Sequence, residues 1–118
     1  MKSRNALKAE HETELQKAAL TKLSAELTPR GLITVLIVDQ TGRAALEVLD
    51  ARFRPRRVYA HLPFRWFYWG EEKDERASLL QIPQAADQIE AAARAGWREG
   101  EQGDISTDLS KIADAYRQ

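Results

Sequence analysis

The chain has 118 residues, 43% of them apolar, which supplies one hydrophobic core and not two. Its 18 basic and 18 acidic side chains cancel, so no overall field steers it to nucleic acid or to an anionic membrane, and such a partner has to be met by a local patch. The absence of cysteine excludes disulfides, thiolate nucleophiles and cysteine metal sites, and suits a reducing, cytoplasmic setting.

From Asn5 to Leu27 there is no Gly or Pro, and the residues are mostly Ala, Leu, Lys, Glu and Gln, which predicts one long helix. Leu15, Ala19, Leu20, Leu23 and Leu27 fall on one face, with Gln16 and Glu26 intruding. Further toward the N-terminus that face carries Lys8 and Glu12, so the first turns of a helix about 35 Å long overhang the domain, as a contact surface or as a frayed end. The same polar start, Met1 to Glu14, does not fit the apolar core of an export signal.

Thr28-Pro29-Arg30-Gly31 stops the helix. Leu32 to Val38 is apolar on both parities, which predicts a strand buried on both faces, and it is far shorter than the roughly 20 residues of a membrane-crossing helix. Asp39 to Gly42 makes a turn, and Arg43 to Leu49 returns with Ala44, Leu46 and Val48 on one side. Asp50 to Arg57 is a basic connection into a third strand, Arg57 to Leu62. After Pro63, the run Phe64 to Trp69 reads as the fourth strand, because rings of this kind fit a pleated surface better than a helix. Gly70 to Arg76 is a solvated loop, and Ala77 to Ile82 a short extended piece.

Beyond Pro83, the spacing of Ala85, Ala86, Ile89, Ala92 and Ala93 predicts a second helix, closed by Gly96, with Trp97 folded back toward Ala92. A link near residue 100 leads to a short last helix with Leu109, Ile112, Ala113 and Tyr116 on one side, an apolar face to be buried on the parent domain or on a second copy. The expected architecture is a single α+β domain over 1–118: a long N-terminal helix, a four-stranded antiparallel meander, an Ala-rich helix on the same sheet face, and a short C-terminal helix.

No catalytic pattern stands out. His11-Glu12 resembles the start of a zinc-protease helix but lacks a second histidine four residues on, and His61 has no acid or nucleophile beside it in sequence. The six glycines sit at punctuation points and form no phosphate loop or dinucleotide fingerprint, so no cofactor is expected. An enzyme reading requires Arg65, His61 and Tyr59 to converge in a pocket. Arg52, Arg54, Arg56, Arg57 and Arg65 are interleaved with Phe53, Tyr59, Trp66 and Phe67, a mixture suited to single-stranded nucleic acid. Against that reading, Glu71, Glu72, Asp74 and Glu75 follow closely enough to neutralise the arginines.

The aromatic strand is the most informative feature. Phe64, Trp66 and Tyr68 point to one face, and Phe67 and Trp69 to the other. Helices cover one face; the rings on the other are either covered from within this chain or exposed as a protein interface, most simply a homodimer, to which Leu109, Ile112 and Tyr116 add a second apolar surface. The run Arg65-Trp66-Phe67-Tyr68-Trp69-Gly70, followed by Ala85-Ala86-Asp87-Gln88-Ile89, resembles small α+β proteins of unassigned activity from high-GC Gram-positive bacteria. That resemblance covers roughly residues 32–95 and implies a fold, with no mechanism attached.

Overall fold

The computed structural model describes residues 4–98, so the expected tail helix with Leu109, Ile112 and Tyr116 lies outside the described residues. Helix α1 (Arg4–Leu27) leads into strands β1 (Thr34–Val38), β2 (Ala44–Leu49), β3 (Pro55–His61), β4 (Trp66–Tyr68) and β5 (Arg76–Ser78), and helix α2 (Ile82–Ala95) follows. The strands form one antiparallel sheet in chain order, β1-β2-β3-β4-β5.

The single-face stripe of α1 does what its spacing implies over its last three turns. Leu20, Leu23 and Leu27 are fully buried and Ala19 is packed against them. Gln16, the intruder in that stripe, accepts the Ala44 N–H at 3.1 Å and so satisfies a backbone donor at the start of β2. Gly31 ends the helical turn in the left-handed region (φ 88°), where its N–H reaches the Thr28 carbonyl, and the chain then enters β1.

Both helices pack on one sheet face. Leu46, Val48, Val58, Ala60, Phe67 and Trp69 from the sheet meet Leu20, Leu23 and Leu27 of α1 and Ala85, Ala86, Ile89 and Ala93 of α2. The small side chains of α2 bring its backbone close to the strands, so two helices fit over a narrow sheet. Trp97 closes this core just after α2: its indole N–H donates to the carbonyls of Arg54 (2.8 Å) and Val48 (3.2 Å), and its backbone N–H donates to Asp50. Replacing Trp97 with phenylalanine keeps most of the ring but removes the indole donor from the buried Val48 carbonyl and leaves the Arg54 carbonyl with the Asp50 N–H alone. The expected cost in urea unfolding is about 2 kcal/mol, and about 4 kcal/mol for alanine, which also opens a cavity.

Three expectations need correction. The meander has five strands, because Arg76–Ser78 turns back and pairs with β4. A turn over Lys73–Glu75 with reciprocal Glu72 and Glu75 capping directs that return, and Gly70 allows it, since a Cβ there would overlap the Glu75 carboxylate at 2.0 Å. The aromatic strand is shorter than Phe64 to Trp69: Phe64 and Arg65 belong to the β3–β4 turn, where Arg65 takes a positive φ of 57°. Most important, β1 is not buried on both faces. In a meander the first strand is an edge, and β1 has a neighbour on one side only.

Candidate interaction surface

The face of the sheet away from the helices holds the second aromatic set, and this chain covers it by itself. Trp66 is 9% exposed and Tyr68 1%, with Phe64 half-buried. Tyr59 and Tyr68 stack at 5.6 Å between ring centres, the Arg43 guanidinium lies 4.5 Å above the Tyr59 ring, and Arg76 lies 5.1 Å above Trp66. His61 and Phe64 close the far end, stacked at 4.7 Å. Phe64, Trp66 and Tyr68 therefore do not present the exposed aromatic interface expected of them. The cover comes from Tyr59 on the neighbouring strand and from Arg43 and Arg76, whose planar heads lie across the rings.

Nor do the five arginines form one basic surface. Arg56 is buried, donates to the carbonyls of Trp69 (3.2 Å) and Arg98, and lies 3.8 Å from Glu75. Arg54 pairs with Asp50 at 3.0 Å and also donates to the Trp97 carbonyl, while Arg57 lies 3.7 Å from Glu47. Arg52 and Arg65 are exposed but sit in turns at opposite ends of β3. The acidic loop thus neutralises one of the set, and Asp50 and Glu47 of β2 and its turn engage two more.

His61 and Tyr59 do share a cleft, of about 620 Å³, but Arg65 is not part of it. The N-terminal half of α1 forms one wall with Lys8, His11, Glu12 and Leu15, and the end of β3 with Leu62 and Pro63 forms the other. The Tyr68 hydroxyl at its floor accepts from Arg43 at 3.2 Å, and burial pushes that phenol up to about 12. Burial lowers the His61 pKa, and its Nδ1 accepts the Phe64 N–H, which places the neutral ring's proton on Nε2. The cleft offers an apolar body and several donors, and the Tyr59 hydroxyl on its lining donates to Asp39 at 3.0 Å. Among the described residues, no group of three or more acidic or histidine side chains is placed to hold a metal.

Among the described residues, β1 and the residue before it carry a run of exposed apolar side chains. Ile33 is 52% exposed, Val35 53%, Leu36 40% and Val38 50%, with no charged residue from Gly31 through Val38. Its pairing with β2 fixes which backbone groups face outward. The Leu49 N–H donates to the Ile33 carbonyl and the Asp39 N–H to the Arg43 carbonyl, both in the register that joins Thr34 to Val48 and Val38 to Ala44. Odd-numbered residues of β1 therefore make the ladder bonds to β2, and the N–H and C=O of Thr34, Leu36 and Val38 point away from the sheet. Ala44 agrees, since its N–H bonds Gln16 rather than Val38.

The opposite edge is built differently: β5 has three residues, and one of them is Arg76. Short, charged edges resist pairing, whereas a five-residue apolar edge without Pro or charge invites it. The sequence signal was already in the run Leu32 to Val38. An apolar pattern on both parities says that both faces are to be covered, and it does not say that the same chain covers them.

Comparison of the chain with family models, with curated proteins and with solved structures finds no match to any of them. Among the described residues, no helix is long and apolar enough to cross a membrane. The resemblance noted above gains no support from these comparisons.

Proposed function

We propose that this protein is a non-catalytic interaction module that works by adding a strand to the outer edge of β1. One observation carries the reading: a strand with outward hydrogen-bonding groups at Thr34, Leu36 and Val38 also has apolar side chains about half exposed on both of its faces. An incoming extended segment gains backbone bonds along its length and apolar contacts above and below, the recognition mode known as β-augmentation. The aromatic set serves this role indirectly. Tyr59, Tyr68 and Trp66 stiffen the sheet behind the edge, and Ile37 packs against that cluster.

A direct test uses a peptide of residues 32–38 flanked by lysines for solubility. Titrated into the labelled protein, it is expected to shift the amide resonances of Thr34, Leu36 and Val38 while leaving those of β5 in place. The substitution Leu36→Pro is expected to abolish the shifts without unfolding the domain, because it removes an N–H that points outward and takes no part in the ladder with β2. Unchanged β1 resonances at millimolar peptide contradict the reading.

A further inference from the structure

We infer that the segment received by the β1 edge is β1 of a second copy of this chain, in an antiparallel, two-fold register centred on Leu36. The inference rests on the strand-addition reading and names its partner. The outward-facing residues are Thr34, Leu36 and Val38, spaced evenly about Leu36. Turning a second β1 about a two-fold axis through Leu36 sets Leu36 against Leu36 and Thr34 against Val38, all as hydrogen-bonded pairs, for about six new backbone bonds.

The side chains match in that register as well as the backbone. The residues that oppose Val48, Leu46 and Ala44 across the ladder (Thr34, Leu36 and Val38) lie on the helix-bearing face, where Thr34 also bonds Ser24 of α1 at 2.7 Å. A two-fold axis normal to the sheet keeps that face on the same side in both copies, so Leu36 packs on Leu36 beside both α1 helices. On the open face Val35 of one copy comes beside Ile37 of the other. Within residues 33–39 the only charged side chain is Asp39, and its position opposite Ile33 brings no like charges together. A generic peptide need not meet the same conditions on both faces, whereas a second β1 meets them by symmetry.

The interface is small. A pairing of this length, with half-exposed side chains on each face, falls at the low end of interface sizes, which places the dimer in the range of reversible, micromolar association. The two sheets become one, and β5 becomes the outer edge at both ends.

The test exploits the absence of native cysteine. In the expected register the two Leu36 Cα atoms lie about 5.5 Å apart, within reach of a disulfide. Leu36→Cys is therefore expected to form a covalent dimer under mild oxidation. Thr34→Cys alone and Val38→Cys alone are expected to cross-link poorly, yet to give a heterodimer when mixed. Wild-type protein in sedimentation velocity is expected to shift from monomer toward dimer between about 1 and about 200 µM, and Leu36→Lys to weaken that association at least about tenfold. A monomer across the whole range, or cross-linking of Thr34→Cys to itself in preference to Val38→Cys, overturns the inference. The peptide titration separates the two levels. A monomeric protein whose β1 amides still respond to the peptide keeps the edge reading and loses self-pairing, and one that responds to neither loses both.

Discussion

Substituting Asp50 with asparagine is expected to lower the thermal midpoint at pH 7 by on the order of 10 °C, a large effect for a change of one atom's identity. The Asp50 side chain is enclosed where the β2–β3 turn, the start of β3 and the end of α2 meet. One carboxylate oxygen accepts the N–H groups of Arg52 (2.9 Å) and Arg54 (2.8 Å); the other accepts the Arg54 Nε and the Trp97 N–H, each at 3.0 Å. Every group around it is a donor. An amide keeps one acceptor oxygen but turns its NH2 against donors, so buried N–H groups lose their partner.

The same contacts define an acid dependence. Burial alone would raise the Asp50 carboxyl, but the donors from Arg54, Trp97 and Arg52 outweigh it and hold the pKa down at about 2. A carboxylate depressed in the folded state contributes stability that is full above the ordinary carboxylate range and disappears as pH falls through about 2. Asp39, Asp74 and Glu90 are also lowered, so the whole protein loses stability in acid, and the difference between wild type and Asp50→Asn isolates the share due to Asp50. That difference is expected to be greatest near neutrality and to shrink steadily below about pH 4. A variant with the wild-type midpoint at pH 7, or a difference that does not vary with pH, contradicts this role for Asp50.

Local signals in the chain foretold the helices well. The residue composition from Asn5 to Leu27 and the alanine spacing after Pro83 each located an element, and the glycines at 31 and 96 closed them. The order of the strands was legible too, since short turns between apolar runs leave a meander as the simplest path. What stayed hidden was lateral: which strand is an edge, and what lies across a face. Leu32 to Val38 reads the same whether its second neighbour comes from the same chain or from another. The burial of Trp66 under Arg76, and of Tyr59 under Arg43, depends on residues far apart in sequence whose rings and guanidinium groups meet only once the sheet is formed. The arginine run misled for a related reason. Its charges look uncommitted in sequence, but Asp50 and Glu47 lie on the preceding strand and its turn and reach Arg54 and Arg57 across the hairpin.

The candidate surface is the apolar edge β1, three strands across the sheet from the aromatic strand β4. The aromatic residues keep a part in it as the support behind β2 and β3, and the sheet they stiffen offers its outer edge as a preformed template. Preorganisation of this kind matters for a small interface, because little binding energy is left over to order a loose strand. It also carries a hazard. Apolar edge strands that find no proper partner pair with wrong ones, so conditions or variants that prevent the correct pairing without adding charge are expected to promote precipitation.

Hydrogen exchange at single amides of β1, followed by nuclear magnetic resonance as protein concentration is raised, reads the outer edge most directly. The Val35 and Ile37 amides face β2 and are expected to exchange slowly at every concentration. The Thr34, Leu36 and Val38 amides face outward and are expected to exchange rapidly in dilute solution, then to gain protection together as the protein is concentrated. Rapid exchange of Leu36 that persists up to millimolar protein contradicts the account.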